Sequence, residues 1–305
     1  MNCLIINNPV SGHSKTDEEI KDIINLLKKK YETVDIVSTS ETLNAEEISK
    51  DNLGKYDAYI VLGGDGTFSE TVRSIAGKEN RPLIGYVPSG TVNDIALSNG
   101  IPFNYKKAVN VILTGKPLTR SSMFLNGVPV GFLISAGICT SISYTTNQNI
   151  KRKIGKLAYY FDIVFRDKGR RGELLEVTFG DETRSGRFLF AAALNNVSVG
   201  GLRVMNKKVQ NEEQFYLILV RRSKGPLGFF AAFFAMARAI LKRVDRFGDE
   251  TPHILMKKVD AVTFKCLSNT TWNTDGEKGP TGGSIDVTYK RGQFELIVPE
   301  SQFNV

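Results

Sequence analysis

The chain has 305 residues and a formal net charge of +8, from 40 basic and 32 acidic side chains. Its composition of 41% hydrophobic and 24% charged residues is typical of globular proteins and argues against a disordered or collagen-like chain. Three cysteines and two histidines are too few for a disulfide framework or a multi-histidine metal site, and the basic balance favours anionic partners: nucleotide phosphates, acidic lipids or nucleic acid.

Strand and helix patterns alternate through the first third of the chain, which predicts an α/β layer with a mostly parallel sheet. Short apolar runs predict the strands, and apolar residues at helical spacing predict the helices. We expect strands at residues 3–6, 34–37, 58–62 and 83–87, and helices at residues 18–30, 46–53, 68–76, 92–97 and 108–113.

The pattern changes near residues 115–117, where strand-like runs separated by glycine- and asparagine-rich turns begin. Two helical patterns interrupt them, at residues 153–165 and 227–247. This half therefore predicts a mainly antiparallel β-sandwich. We expect its strands at residues 130–135, 174–179, 188–194, 215–220, 259–266, 285–289 and 294–298.

Small and polar residues follow three of the predicted parallel strands. The three turns are Asn8-Pro9-Val10-Ser11-Gly12, Gly63-Gly64-Asp65-Gly66-Thr67 and Pro88-Ser89-Gly90-Thr91-Val92-Asn93-Asp94. Any one alone is more often an ordinary tight turn, and none has the spacing of a GxxxxGK[ST] or GxGxxG loop. Ligands of parallel sheets bind beyond the carboxyl ends of the strands, so three such turns with acidic side chains favour a phosphate site that also uses Mg²⁺.

The ordered set of motifs resembles the bacterial diacylglycerol kinase-like lipid kinases and, more distantly, sphingosine and ceramide kinases. The motifs are NPxSG, GGDGTxxE (63–70), PxGTxND (88–94), KIGKLAYY (153–160) and a late Asp275-Gly276-Glu277. The resemblance implies a Rossmann-like domain of the NAD kinase and phosphofructokinase type, at residues 1–120 and completed by residues 291–305. It also implies a β-sandwich at residues 121–290 that takes the lipid, with ATP bound between the two domains.

The same resemblance assigns roles to individual residues. Asp275 and Glu277 are similar to the family's catalytic acidic pair, one of which accepts the proton of the lipid hydroxyl, and Asp65 lies near the phosphates and the catalytic Mg²⁺. The ATP-contacting positions are Asn8, Pro9, Val10, Ser11, Gly12, Ser38, Thr39, Gly64, Asp65, Gly66, Thr67, Glu70, Gly90, Thr91, Asn93 and Asp94.

Two departures from the family pattern concern acidic positions. Ser121 stands where the family usually has an Asp. Glu212 falls on an Asp that holds a structural Mg²⁺ in the family, and Glu213 replaces a Gly in the same turn. The longer carboxylate of Glu212 can still ligate Mg²⁺, in an altered turn.

A kinase with a lipid acceptor has to reach a membrane surface. The pattern at 227–247 combines an apolar stripe with a basic row of Arg238, Lys242 and Arg246, which suits either an anionic membrane or, more often, a core helix with a solvated face. We expect a cytoplasmic protein that contacts the membrane peripherally, because the N-terminal residues read as a buried strand and the longest apolar stretch, 226–237, is too short to span a bilayer.

The leading hypothesis is therefore an ATP- and Mg²⁺-dependent lipid kinase that phosphorylates a diacylglycerol-like lipid. The alternatives are an NAD kinase-like enzyme, suggested by GGDGT alone, and a catalytically weakened member that binds nucleotide or lipid, suggested by Ser121 and Glu212. No motif for nucleic-acid recognition is present, so nucleic acid is not an expected partner. A homodimer is compatible with the sequence.

Overall fold

The computed structural model describes residues 1–138, 172–203, 214–222, 231 and 251–303. The predicted helix at 153–165, the KIGKLAYY segment and Glu212 lie outside this part of the chain, as does all of the predicted helix at 227–247 except Ala231. Within the described part, no helix combines the length and the apolar character needed to cross a bilayer.

Residues 1–114 form an α/β layer around a parallel sheet with the strand order β2-β1-β3-β4. Consecutive side chains of β3 point to opposite faces of the sheet and all are buried, so both faces are covered. The strands are β1 (Asn2–Asn7), β2 (Thr33–Ser38), β3 (Ala58–Gly63) and β4 (Leu83–Pro88), and the helices are α1 (Asp17–Leu27), α2 (Ala45–Asp51), α3 (Asp65–Ile75), α4 (Asp94–Ser98) and α5 (Tyr105–Thr114).

The remaining described residues are mostly antiparallel strands packed around a second apolar core, in which Phe264 and Trp272 meet with ring centroids 4.7 Å apart. The strands are β5 (Lys116–Leu125), β6 (Val128–Val130), β7 (Leu133–Gly137), β8 (Glu173–Phe179), β9 (Glu182–Leu194), β10 (Ser198–Val199), β11 (Leu202–Arg203), β12 (Phe215–Arg221), β13 (Ile254–Val259), β14 (Ala261–Cys266), β15 (Thr271–Thr274), β16 (Glu277–Thr281) and β17 (Ser284–Val298), and a 3₁₀ turn spans Glu300–Gln302. The predicted fold class, α/β followed by mainly antiparallel β, is confirmed.

Two long strands run through both halves of the molecule. Strand β17 pairs with β14 and β5 in antiparallel fashion, and its Leu296 pairs with Ile84 of β4 in parallel. The sequence predicted two separate runs where β17 is continuous, and it predicted no strand over β5. The predicted domain boundaries, 120/121 and 290/291, thus fall inside strands, and the division into two domains stays a prediction.

Candidate functional site

The loops that follow β1, β3 and β4 are tied together at the carboxyl edge of the sheet. Asn8 donates to Thr67 Oγ1 at 2.9 Å, which links the first loop to the start of α3. The hydroxyls of Ser11 and Ser89 lie 2.6 Å apart, and the backbone N–H of His13 donates to the Ser89 carbonyl at 2.7 Å. The three sequence motifs therefore form one surface, as predicted.

Glycine is required where the second and third loops pass each other. A Cβ added to Gly90 would lie 2.7 Å from the Gly64 Cα, and a Cβ on Gly12 would collide with the Thr91 side chain. The loops are therefore packed so closely that only glycine fits at these positions.

Asn93 shapes the third loop from within. It adopts a left-handed conformation with φ of 59°, and its amide both donates to the Gly90 carbonyl and accepts from the Gly90 N–H, each at 2.8 Å. At the outer rim, by contrast, Val10 is 84% exposed. Asn93 thus stabilises the third loop through its hydrogen bonds to Gly90. Val10, in the first loop, is exposed to solvent.

The N-terminus of α3 carries no side-chain cap. Its N-cap residue is Gly64, and nothing lies within 4 Å of a Cβ added to Gly66. Uncapped N–H groups and the helix dipole favour a negative group there. The sequence predicted a turn through this glycine run, whereas Asp65 is already the first helical residue.

Asp65 joins α3 to α4. Its carboxylate accepts from the backbone N–H groups of Asp94 at 2.9 Å and Ile95 at 3.0 Å. The pKa of Asp65 is raised to about 6, mainly by burial and also by the charges of Asp94 and Asp275, while the two backbone hydrogen bonds oppose the rise. The charge of Asp275, 210 positions further along the sequence, therefore contributes to the electrostatic surroundings of Asp65.

Asp94 faces the second half of the chain. Its carboxylate accepts hydrogen bonds from the Ser198 hydroxyl and from the backbone N–H groups of Gly200 (2.6 Å) and Gly201 (2.9 Å). It consequently holds the 198–201 turn against α4. The sequence had assigned Asp94 to the nucleotide contacts.

Asp275 is 8% exposed and occupies a left-handed turn with φ of 53°. Its carboxylate accepts from the backbone N–H groups of Gly131 (2.7 Å), Phe132 (2.8 Å) and Leu133 (2.9 Å). Burial raises the pKa of Asp275, while these three bonds and the neighbouring Ser69 oppose that rise. The contacts also explain why the predicted strand at 130–135 is broken at Gly131 and Phe132.

Glu277 is 54% exposed and faces α3 through Arg73. The Arg73 guanidinium lies 3.9 Å from the Glu277 carboxylate and 2.9 Å from that of Glu46, which belongs to α2. Glu277 is thus the more accessible member of the predicted acidic pair. The cation beside it, Arg73, also pairs with Glu46 of α2.

Three residues that the sequence predicted as nucleotide contacts form hydrogen bonds with other groups of the protein. Glu70 accepts from the Ala45 N–H at 3.0 Å at the start of α2, and burial raises its pKa. Ser38 accepts from the Asn7 side chain at 3.0 Å, and the Thr39 N–H donates to the Asn7 carbonyl at 2.8 Å. These bonds fix the end of β2 and the packing of α2 beside the three loops.

The carboxylates suit Mg²⁺ by their chemistry, because oxygen is its preferred donor. A carboxylate offers about four lone-pair positions, and Asp65 uses two of them on backbone N–H groups. No group of three or more His, Cys, Asp or Glu side chains in the described ranges is close enough to hold a metal without further ligands. The residues therefore fit a metal whose remaining ligands are water and phosphate oxygens.

Sequence reasoning missed Ser69, Arg73 and Ser198. Ser69 and Arg73 lie on the helix that begins with the glycine motif, four positions apart, where helical spacing places side chains on one face. That spacing could have indicated them. Ser198 had no signal beyond the Gly200-Gly201 pair that follows it.

Comparisons with known proteins identify a family that this chain is similar to. The family model for the diacylglycerol kinase catalytic domain matches residues 2–123. A diacylglycerol kinase of Staphylococcus aureus (strain bovine RF122 / ET3-1) is 30% identical over 282 residues, which cover 90% of this chain and 85% of that protein. The diacylglycerol kinase of strain MRSA252 matches with the same identity and coverage.

Solved structures share the fold. A diacylglycerol kinase from Bacillus anthracis str. Sterne superposes with a TM-score of 0.78 at 21% identity, covering 98% of this chain and 97% of that one. An NAD kinase from Archaeoglobus fulgidus in complex with ATP gives a TM-score of 0.53 at 14% identity, covering 100% and 96%. At these identities the likeness supports the architecture alone.

Proposed function

The chain belongs to the diacylglycerol kinase family and is a lipid kinase, and on that premise we propose that it transfers the γ-phosphate of ATP to a hydroxyl of a diacylglycerol-like lipid. One observation carries the proposal: helix α3 begins at Asp65 in the glycine-rich motif, and its Arg73 guanidinium lies 3.9 Å from the carboxylate of Glu277 in the late acidic turn. The two motif sets therefore border one cleft.

The nucleotide phosphates would bind at the uncapped start of α3, which lies beside the Gly64–Gly90 crossing. Thr67, Ser11 and Thr91 supply hydroxyls at that edge. Asn8, Pro9, Val10, Gly12, Ser38 and Thr39 would line the adjoining part of the nucleotide site.

Asp65 would hold Mg²⁺ through water or the phosphate oxygens. When bound, the ion neutralises negative charge on the phosphates. Asp94 supports this arrangement indirectly, because its backbone N–H fixes the Asp65 carboxylate. Glu212, proposed for a second, structural Mg²⁺, lies outside the described residues.

Glu277 would accept the proton of the lipid hydroxyl as its oxygen attacks the γ-phosphorus and the bond to the β-phosphate oxygen breaks, releasing ADP. An exposed carboxylate can take up this proton, whereas Asp275 is already engaged by three backbone donors. Asp275 would then hold the turn that presents Glu277. Of the predicted acidic pair, Glu277 is thus proposed as the catalytic base and Asp275 as a positioning residue.

We also propose that residues 1–120 with 291–305 form the nucleotide-binding unit and that residues 121–290 take the lipid. A cytoplasmic protein that meets an anionic membrane peripherally fits the net charge of +8.

A panel of hydroxyl-bearing lipids in anionic mixed micelles, with ATP and Mg²⁺, tests the proposal and identifies the acceptor. A parallel reaction with NAD⁺ in place of lipid tests the NAD kinase alternative. We expect phosphorylated lipid and no NADP. Formation of NADP, or ATP binding without any lipid product, would replace the proposal with one of its alternatives.

A further inference from the structure

Helix α3 approaches the acidic turn at a second point besides Arg73. Ser69, one helical turn before Arg73, is 1% exposed, and its hydroxyl oxygen lies beside Gly131. A Cβ added to Gly131 would be 2.4 Å from the Ser69 Oγ and 3.0 Å from Oδ2 of Asp275. The Ser69 hydroxyl and the Asp275 carboxylate therefore border the same side of Gly131.

The Ser69 hydroxyl differs from two other hydroxyls on α3. Thr71 donates to the Thr67 carbonyl at 2.9 Å, and Ser74 donates to the Thr71 carbonyl at 2.8 Å. Hydroxyls within helices commonly bond to the preceding turn in this way. The Ser69 oxygen is fully buried and makes no hydrogen bond of that geometry to the described residues. A buried hydroxyl without a partner is costly, so the acceptor beside it should receive its donor.

Asp275 has room for one more donor on the oxygen that faces Ser69. Its Oδ1 accepts from the N–H groups of Phe132 and Leu133, whereas its Oδ2 accepts from the N–H of Gly131. A carboxylate offers about four lone-pair positions, two on each oxygen. Burial raises the pKa of Asp275, and Ser69 is among the groups that oppose this rise, as expected of a hydroxyl that donates to the charged form.

We propose that Ser69 is a positioning residue for phosphotransfer, whose hydroxyl donates to Asp275 and so couples α3 to the turn that presents Glu277. This role rests on the proposed function, in which Glu277 is the base. Helix α3 begins at the proposed phosphate site and meets the acidic turn twice, with Ser69 beside Asp275 and Arg73 beside Glu277. One rigid element thereby sets the distance between the phosphates and the base.

The kinetic test removes the Ser69 hydroxyl alone. With a lipid acceptor from the panel and saturating ATP, we expect Ser69→Ala to lower kcat about three- to tenfold, while the KM for ATP stays within about twofold of wild type. Ser74→Ala is the matched control, because it removes a buried hydroxyl from the same helix, and both parameters should stay within about twofold of wild type. A kcat of Ser69→Ala equal to that of Ser74→Ala would overturn the proposal.

A double-mutant cycle with Asp275→Asn separates a role through Asp275 from a general effect on packing. Asp275→Asn keeps an oxygen for the Phe132 and Leu133 donors and turns an amide N–H₂ toward Ser69, so the hydroxyl loses its acceptor. In this background we expect Ser69→Ala to lower kcat by less than about twofold and to shift the urea midpoint less than it does in the wild-type background. An equal effect of Ser69→Ala in both backgrounds, on either measure, would refute coupling through Asp275.

The urea midpoints require no catalytic step, so failure of this role can be distinguished from failure of the proposed function. A wild type that phosphorylates no lipid would refute the proposed function and, with it, the catalytic role of Ser69, while the midpoint cycle would still decide whether Ser69 binds Asp275. An active wild type without coupling between the two residues would refute the role of Ser69 alone.

Discussion

Three carboxylates lie at the junction of the two halves of the molecule: Asp94 and Asp275, which are buried, and Asp65, which is partly buried. Each accepts two or more backbone N–H bonds, and Asp94 also accepts from the Ser198 hydroxyl. Charge-assisted bonds of this kind offset much of the cost of removing a carboxylate from water. The carboxylates consequently fix the loops around the site as well as contributing charge to it.

The two members of the acidic turn should respond differently to loss of charge. Asp275→Asn turns an amide N–H₂ toward one of the three backbone donors, so we expect a loss of about 1–3 kcal/mol in the free energy of unfolding. Glu277→Gln makes the same chemical change at a half-exposed position and should stay within about 0.5 kcal/mol of wild type. Urea denaturation measures both, and equal losses would contradict the supporting role of Asp275.

Among the elements, helix α3 and the loop that packs against its start allow a direct comparison. One glycine substitution should weaken phosphate binding, and another should disturb the packing of the loops. Gly66→Ala places a methyl group in open space and should leave stability unchanged or raised by up to about 1 kcal/mol, while ATP affinity falls at least about tenfold. Gly90→Ala instead pushes on the Gly64 backbone and should lower stability by about 1–3 kcal/mol. Calorimetric titration with an ATP analogue measures the affinity, and urea denaturation measures the stability. An affinity of Gly66→Ala equal to that of wild type would contradict phosphate binding at the start of α3.

Arg73 links α2, α3 and the acidic turn, so it should position Glu277. We expect Arg73→Gln to lower kcat about three- to tenfold with the KM for ATP unchanged, and Arg73→Lys to recover part of the loss. The matched control is Lys106→Gln, which breaks an exposed ion pair between Lys106 of α5 and Asp22 of α1. A kcat for Arg73→Gln equal to that of the control would remove Arg73 from this role.

The sequence predicts an element well when the residues that determine it are neighbours along the chain, and poorly when a distant residue determines it. The run at 58–62 is apolar at every position, and it is the buried strand β3. The run at 130–135 is equally strand-like, but Asp275 binds the N–H groups of Gly131 and Phe132 and so ends the ladder there, an effect that no local pattern contains. Arg120 reads as one of many basic residues, and only the packing of β5 against β17 places it in a cavity.

At the scale of the whole molecule, a net charge of +8 should draw the enzyme to anionic surfaces. We expect the initial rate on a lipid acceptor to rise with the anionic lipid content of mixed micelles and to fall severalfold as salt increases from about 50 to about 300 mM. The rate on a water-soluble short-chain acceptor serves as the control. A salt effect of the same size on that control would assign it to the active site instead of the surface.

Strand β17 lies between β4 of the parallel sheet and β14 on the way to β15, which leads into the acidic turn, and we propose that the glycine-rich edge and this turn border one phosphotransfer cleft. The most direct test is the initial rate of radiolabel transfer from γ-labelled ATP to diacylglycerol, compared between wild type and Glu277→Gln at saturating ATP. We expect a labelled lipid product from wild type and a rate at least about 100-fold lower from Glu277→Gln, with ATP binding retained. Undiminished transfer by Glu277→Gln would contradict it.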